Sequence, residues 1–278
     1  MNTLKQALLD AQAQGLARID AQLLLLHTLG SAPNDRAWLL AHDTDALTGA
    51  QALAFKALCQ RRAAGEPVAY LTGTKAFFGL QLQVDARVLD PRPDTETLVE
   101  WALDRLQDTP RPRVLDLGTG SGAVALALQH QRPDAEVWAV DTSDSALAVA
   151  QANAQRLGLP VRFWAGSWCQ PLPVEARFDV IVSNPPYVAM DDPHLSALTH
   201  EPLSALTSGP DGLDDIRTIV AQAGQHLVRG GWLLLEHGHD QAAAVRGLLE
   251  QAGFSAVSTR TDLPGLDRCS GGQWAGLG

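Results

Sequence analysis

From about residue 94 onward, short apolar runs alternate with segments of helical periodicity, and this alternation constrains the fold more than any other feature. The apolar runs predict six strands, at 114–117, 137–140, 161–164, 180–182, 232–235 and 254–258. Helices are predicted between them, the clearest over 145–157 and 216–227. Strands that are apolar throughout and separated by helices are typical of a parallel sheet covered on both faces. We therefore expect an α/β fold whose ligands bind beyond the carboxyl ends of the strands.

The chain before this region has a different pattern, which predicts a small helical domain. Apolar residues recur there at helical spacing, at Leu16, Ile19, Leu23 and Leu26. Residues 77–93 then alternate apolar and polar positions, which predicts a short β-hairpin. We expect a helical domain over 1–75, a β-hairpin linker over 76–96 and an α/β domain over 97–278.

A glycine-rich loop follows the first predicted strand of the α/β domain and opens a helix. Its residues are Gly118, Thr119, Gly120, Ser121 and Gly122. Glycines let the chain turn tightly and let a ligand approach the backbone. The spacing departs from the dinucleotide pattern, which would need a glycine at position 123, where this chain has alanine.

Two carboxylates near this loop indicate the charge of its ligand. Asp116 precedes the loop, where it would repel a pyrophosphate but suit a ligand with positive charge. Asp141 ends the second strand, where a carboxylate accepts ribose hydroxyls. S-adenosylmethionine carries an ammonium, a sulfonium and a ribose, so we expect it as the cofactor. NAD remains an alternative at this point.

A stiff loop, Asn184-Pro185-Pro186-Tyr187, follows the fourth predicted strand of the α/β domain. Proline fixes φ and has no N–H, so the Pro185 carbonyl takes a defined direction, and Asn184 adds a side-chain oxygen acceptor. Two fixed acceptors hold both hydrogens of one NH2 group and orient its nitrogen for methylation. Tyr187 supplies a flat face for a planar group. Adenine, guanine, cytosine and glutamine all carry such a group.

With these motifs, the chain resembles the peptide chain release factor glutamine methyltransferases of the PrmC/HemK type nearly end to end. The segments that carry the resemblance are 65–73, 92–96, 115–122, 184–187, 201–206, 209–213 and 236–238, with Asp262, Gly265 and Arg268 near the end. The resemblance implies a class I S-adenosylmethionine-dependent methyltransferase (Rossmann-like) sheet with a small N-terminal helical domain joined by a β-hairpin linker.

The resemblance also implies a substrate and a role for each site residue. The substrate would be the glutamine in the Gly-Gly-Gln loop of class-1 release factors, and the helical domain would help dock that protein. S-adenosylmethionine would lie on residues 118–122, with Asp141 at its ribose and Trp168 near its adenine. Asn184 and Pro185 would hold the glutamine amide, next to Pro186 and Tyr187, and Asn184 would also border the cofactor.

Composition favours this interpretation over two others. A methyltransferase acting on an exocyclic amine of adenine or guanine in RNA or DNA would share the Asn-Pro-Pro-Tyr loop but should carry a basic surface, whereas the net charge here is −10. A cofactor-binding scaffold without catalysis would not need two fixed acceptors. We expect no stable nucleic-acid partner, no membrane association and, because the first residues do not resemble a secretory signal, a cytoplasmic enzyme.

Three further features leave alternatives open. Arg92 and Glu96 belong to the linker segment that carries the resemblance, and a structural ion pair bracing the linker is an equal alternative for them. His237 and His239 resemble a metal pair, but no third ligand accompanies them, so we expect no metal. Residues 271–273 spell Gly-Gly-Gln, which is either coincidence, the favoured interpretation, or a site of self-methylation or self-inhibition.

Overall fold

The structure is a computed structural model that describes residues 3–276, apart from the side chain of Ala197. The chain divides into two compact units. The first comprises the chain up to Thr74 together with Ser196–His200, and the second comprises Lys75–Leu195 and the chain from Glu201 onward. None of the described helices is long and apolar enough to cross a membrane.

The first unit is helical, as predicted, although Leu16 lies before the second helix and Ile19 is 42% exposed. Its helices are α1 (Leu4–Ala13), α2 (Arg18–Leu29), α3 (Arg36–Ala41), α4 (Gly49–Ala63) and α5 (Val68–Thr72). Helix α4 begins with a capping box, in which the Thr48 hydroxyl accepts from the Gln51 N–H and the Gln51 side chain accepts from the Thr48 N–H. Leu24, Leu25 and Leu26 of α2 are fully buried, so α2 forms the centre of this unit's core.

A β-hairpin follows, slightly earlier in the chain than the alternation over 77–93 predicts. Its strands are β1 (Thr74–Phe77) and β2 (Leu80–Gln83). Phe78 and Gly79 form the two-residue turn, and both have positive φ, as tight hairpin turns require. Glu96 accepts a hydrogen bond from the Phe78 N–H at 2.9 Å, which stabilises the unusual conformation of this phenylalanine.

A seven-stranded sheet forms the core of the second unit. Its strands are β3 (Arg113–Leu117), β4 (Glu136–Asp141), β5 (Val161–Ala165), β6 (Phe178–Ser183), β7 (Leu227–Glu236), β8 (Phe254–Thr261) and β9 (Asp267–Trp274). Their order across the sheet is β5-β4-β3-β6-β7-β9-β8. The helices of this unit are α6 (Glu96–Leu106), α7 (Ala123–Gln131), α8 (Asp144–Leu157), α9 (Asp214–Ala223) and α10 (Ala242–Gln251).

Every predicted strand of the α/β region lies within an observed strand, but two expectations need correction. The sheet is not parallel throughout, because β9 runs antiparallel to both β7 and β8. The helix expected over 216–227 ends at Ala223, a 3-10 turn covers Gly224–His226, and Leu227 already begins β7. Leu227 is buried in the same core cluster as Ile216 and Ile219 of α9, so its apolar side chain fits either element.

The Gly-Gly-Gln tripeptide lies inside β9. Gly271 and Gly272 are buried, and Gly271 pairs with Leu234 of β7 on one side and with Ser258 of β8 on the other. Gln273 continues the same strand, and its side-chain amide donates to the Gly230 carbonyl at 2.9 Å. Because this tripeptide is fixed within a paired strand, the structure favours the interpretation that its sequence is a coincidence over self-methylation.

Candidate active site

The carboxyl ends of the central strands surround a cavity of about 540 Å³. The next two strands in the chain, β4 and β5, extend the sheet on one side of β3. The strand after them, β6, pairs with β3 on its other side. Ligands of open α/β sheets bind at such a reversal of strand order. The lining includes residues at or just after the ends of β3 (118–121), β4 (141–143), β5 (166–168) and β6 (Asn184 and Pro186), together with Thr95, Asp116, Pro202, Ser204 and Ala205.

The glycine loop covers the end of β3. The Gly118 and Thr119 N–H groups both donate to the Val140 carbonyl of β4, at 2.9 and 3.0 Å, and this anchors the turn to the neighbouring strand. Gly118, Gly120 and Gly122 all have positive φ, between 55° and 83°. Residues other than glycine are strained at positive φ, which explains why glycine stands at these three positions.

Asp116, near the end of β3, holds this loop through hydrogen bonds of its buried carboxyl. Its side chain is 2% exposed and accepts from the Thr119 hydroxyl at 2.6 Å and from the Ala125 N–H at 3.2 Å. Burial raises the pKa of Asp116 to about 7, against the effect of these two hydrogen bonds, and the nearby charge of Asp141 adds to the rise. The carboxyl therefore ties β3, the loop and the start of α7 together while bordering the cavity.

Asp141 ends β4 and links two of the loops that line the cavity. Its Oδ2 accepts from the Gly120 N–H at 2.8 Å, and its Oδ1 accepts from the Ser143 N–H at 2.9 Å. A carboxylate has about four lone-pair sites, so each oxygen keeps room for a further donor. Asp141 is thus both a structural link and an acceptor facing the cavity.

Trp168 lies against the glycine loop. It adopts a positive φ of 49°, and a Cβ placed on Gly118 would lie 3.3 Å from Cζ3 of its ring. Gly118 therefore has to be glycine both for its own backbone conformation and for the approach of this indole. Trp168 lines the cavity at the edge formed by the segment after β5.

The Asn-Pro-Pro-Tyr loop begins where β6 ends. The Ser183 hydroxyl donates to the Leu117 carbonyl at 2.6 Å and fixes the end of β6 to β3. Asn184 Nδ2 donates to Thr95 Oγ1 at 3.2 Å, so in this orientation the other amide atom, Oδ1, is the one left to accept. Asn184 and Pro186 line the cavity.

The other two residues of the loop, Pro185 and Tyr187, lie away from the cavity lining. Pro185 is buried, and neither Pro185 nor Tyr187 is among the residues lining the cavity. The Tyr187 ring packs against the core of the second unit, and its hydroxyl donates to Glu236 Oε1 at 3.3 Å. Burial, the charge of Glu236 and this hydrogen bond raise the pKa of Tyr187 far above its usual range.

The linker segment contributes residues whose roles the sequence does not indicate. Thr95 lines the cavity and accepts from Asn184, although 89 positions separate the two residues. Arg92 pairs with Glu201 at 2.5 Å and with Asp90 at 3.5 Å, whereas Glu96 accepts from the Phe78 N–H. The alternative interpretation of Arg92 and Glu96 as an ion pair with each other is therefore wrong. The observed pair instead fixes Glu201, whose side chain is only 3% exposed, just before the cavity-lining Pro202.

Both ring nitrogens of His237 lie within hydrogen-bond distance of neighbouring protein groups. Its Nε2 and the Ser270 hydroxyl of β9 lie 2.7 Å apart, and its Nδ1 lies 2.8 Å from the Gly238 carbonyl. Burial lowers the pKa of His237, which favours the neutral ring. Within residues 3–276, no group of three or more His, Cys, Asp and Glu side chains is arranged to hold a metal ion.

Solved structures share this architecture. A methyltransferase from Pyrococcus furiosus superposes with a TM-score of 0.53 at 21% identity, over 80% of this chain and 98% of that one. The T. thermophilus 16S rRNA N2 G1207 methyltransferase, solved with AdoMet and guanosine, gives a TM-score of 0.54 at 23% identity, over 72% of this chain and 49% of that one. At these identities the likeness concerns the fold.

Two family models match the chain in agreement with this fold. The methyltransferase small domain model matches residues 94–253, and the PrmC N-terminal domain model matches residues 2–73. Together with the sheet order and the glycine loop, these matches define a protein with the class I S-adenosylmethionine-dependent methyltransferase fold.

Two of the relatives are named release factor glutamine methyltransferase. The one from Bordetella pertussis is 51% identical over 98% of this chain and 99% of its own length, and the one from Pseudomonas aeruginosa is 48% identical over 99% and 100%. The chain belongs to the release factor glutamine methyltransferase family.

Proposed function

We propose that this protein transfers a methyl group from S-adenosylmethionine to the side-chain amide nitrogen of the glutamine in the Gly-Gly-Gln motif of class-1 peptide chain release factors. The observation that carries the proposal is the position of Asn184. It lies at the edge of the cavity and is held there by Thr95, with its Oδ1 left to accept. Family membership supports the substrate, because near-full-length relatives carry that name.

The residues around the cavity fit the cofactor. The glycine loop exposes backbone next to the cavity, and the volume of about 540 Å³ lies within the usual range for cofactor sites. The Asp141 oxygens keep lone pairs for ribose hydroxyls, and Trp168 offers a flat surface for adenine. Gly118, Thr119, Gly120, Ser121, Gly122, Asp141, Trp168 and Asn184 are the residues assigned to the cofactor. When bound, it supplies an electrophilic methyl group on a sulfonium.

The Asn-Pro-Pro-Tyr loop positions the acceptor nitrogen. Asn184 Oδ1 and the Pro185 carbonyl accept the two hydrogens of the glutamine NH2, which directs the nitrogen lone pair and opposes its delocalisation into the amide carbonyl. Orientation of this kind contributes up to roughly 7–11 kcal/mol to a reaction in favourable cases. Pro186 borders the substrate, and Tyr187 supports the loop through its hydrogen bond to Glu236.

The parts of the chain have separate tasks in this proposal. The helical domain, residues 1–75, helps dock the release factor, residues 76–96 are the β-hairpin linker, and residues 97–278 are the methyltransferase domain. The partner is a cytoplasmic protein, and neither a membrane nor a stable nucleic-acid complex takes part. The net charge of −10 supports a protein substrate over a nucleic acid.

Methyl-labelled S-adenosylmethionine and a set of acceptors test the proposal. The purified protein is incubated separately with a class-1 release factor, tRNA, rRNA and DNA. We expect label on the release factor alone, and none on a release factor whose Gly-Gly-Gln glutamine is replaced by alanine. Label on nucleic acid alone would favour methylation of an exocyclic amine and refute the proposal.

A further inference from the structure

Gln241 lies at the start of α10, where its side chain does not serve the helix. It is the N-cap residue, a position that favours Ser, Thr, Asp and Asn because their side chains accept from the first N–H groups of the helix. The Gln241 side chain makes no such capping hydrogen bond. A residue that suits the local structure poorly calls for an explanation in its other contacts.

The Gln241 side chain instead joins three backbone groups outside α10. Its Oε1 accepts from the Gly238 N–H at 2.8 Å, and its Nε2 donates to the Tyr187 carbonyl at 3.0 Å and to the Asp211 carbonyl at 3.2 Å. An amide side chain has two hydrogens to donate, and both are used here. The partners also fix the orientation of the amide, because one of them is a donor and the other two accept.

Tyr187, the last residue of the Asn-Pro-Pro-Tyr loop, is held through both its side chain and its backbone. The hydroxyl donates to Glu236 Oε1 at 3.3 Å, and the carbonyl accepts from Gln241. The space around this carbonyl is tight, since a Cβ on Gly212 would overlap its oxygen and would lie 2.8 Å from Gln241 Nε2. The Tyr187 carbonyl therefore has a closely packed position with Gln241 as its donor.

The Asn-Pro-Pro-Tyr loop needs such a restraint because its prolines fix only part of its geometry. Proline locks φ, whereas the direction of a carbonyl also depends on ψ, which proline leaves free. At the start of the loop, the Ser183 hydroxyl donates to the Leu117 carbonyl at 2.6 Å. At its end, Gln241 holds the Tyr187 carbonyl two residues beyond Pro185. Holding both ends of so short a segment restricts the remaining rotations, and with them the direction of the Pro185 carbonyl.

We propose that Gln241 is a positioning residue for methyl transfer: by holding the Tyr187 carbonyl, it keeps the loop's two acceptors at the spacing that one NH2 group requires. The inference rests on the roles of Asn184 and Pro185 in the proposed function. Gln241 is not among the residues lining the cavity, so it acts through the loop. Without its two N–H donors the end of the loop shifts, and the acceptors no longer meet both hydrogens of the substrate NH2.

Two substitutions at Gln241 remove the contact, and a second glutamine supplies the matched control. Gln241→Glu keeps an oxygen for the Gly238 N–H but loses both donations, and Gln241→Met removes all three hydrogen bonds at similar side-chain length. Gln129 is the control, because its Nε2 also donates to two carbonyls, those of Arg132 and Ala135, at 3.3 Å each. It is 1% exposed and does not line the cavity. Gln129→Glu and Gln129→Met therefore remove the same kind of contact away from the site.

The expected effect falls on turnover rather than on binding. A misplacement of about 1 Å costs up to roughly 100-fold in rate, so kcat on the release factor should fall about tenfold to 100-fold in both Gln241 variants. KM for the release factor, and cofactor affinity in calorimetry, should stay within about twofold of the wild type, because the acceptors orient the nitrogen in the transition state. The Gln129 variants should keep the wild-type kcat even where their urea midpoints fall.

The wild type and the two glutamines separate the outcomes. If the wild type does not methylate the release factor glutamine, the proposed function fails, and this inference fails with it. If the wild type is active, an unchanged kcat in a Gln241 variant that urea unfolding shows to be folded overturns the inference alone. An equal loss of kcat in the Gln129 variants would overturn it as well, since general destabilisation would then account for the loss. A raised KM at unchanged kcat would also overturn it, because Gln241 would then act in docking.

Discussion

Gly122 offers a sharp test of how the glycine loop is held. It precedes α7 with a φ of 83°, and a Cβ there would lie 3.0 Å from Leu126 Cδ1 and 3.2 Å from Ala150 Cβ. Gly158 ends α8 with a similar φ of 67°, but a Cβ there would meet no atom within 4 Å. The substitutions Gly122→Ala and Gly158→Ala therefore differ in crowding rather than in backbone conformation.

The expected cost of each substitution follows from these contacts. A left-handed backbone costs a residue other than glycine about 1–2 kcal/mol, and this applies to both positions. Overpacking costs about 1–3 kcal/mol more and applies only to Gly122. We therefore expect Gly158→Ala to lower the free energy of unfolding by about 1–2 kcal/mol and Gly122→Ala by roughly 2–5 kcal/mol.

Urea unfolding followed by tryptophan fluorescence measures this difference. Every tryptophan except Trp38 lies in the second unit, so the signal reports mainly on the unit that contains both glycines. The urea midpoint should fall further for Gly122→Ala than for Gly158→Ala, at similar slopes. Equal midpoints would refute the argument that α7 and α8 exclude a side chain from the glycine loop.

Three further predictions concern the site. Asn184→Ala should reduce kcat at least 100-fold, on the scale of a lost transition-state contact, with cofactor affinity nearly unchanged; kinetics and calorimetry check this, and an unchanged kcat would contradict it. Asp141→Ala should weaken cofactor binding by about 3 kcal/mol, for two hydrogen bonds to a charged group; unaltered affinity in calorimetry would argue against the ribose contact. Arg92→Met should destabilise the protein by about 1–3 kcal/mol, because it leaves the buried Glu201 without its ion-pair partner, and the cost is moderated because Arg92 itself is 35% exposed. A further Glu201→Gln change should recover part of that loss in urea unfolding.

The fold was largely predictable from sequence because most strands are continuous apolar runs. The runs in β3, β4 and β6 are buried along nearly their whole length, so hydrophobicity alone identifies them. Strand β9 escaped prediction because its centre is Ser270-Gly271-Gly272, a composition typical of loops. A Cβ on Gly271 would lie 2.7 Å from the Leu233 carbonyl oxygen, so close packing against β7 requires glycine there.

The candidate site was predictable in its motifs but not in its cross-chain contacts. The glycine loop and residues 184–187 each form one continuous segment, and local chemistry indicates what such segments bind. The contacts of Asn184 with Thr95 and of Arg92 with Glu201 join positions 89 and 109 residues apart. No local pattern specifies such pairs, since the fold alone brings them together. Sequence alone therefore offered only the nearby Glu96 as an alternative partner for Arg92.

In the proposed reaction, the methyl group reaches one glutamine nitrogen of a release factor. The most direct measurement is tandem mass spectrometry of a class-1 release factor after incubation with this protein and S-adenosylmethionine. We predict a single added methyl group on the side chain of the Gly-Gly-Gln glutamine, absent when the Asn184→Ala variant replaces the wild type. A release factor left unmodified at that glutamine, or equally methylated by the variant, would contradict the account.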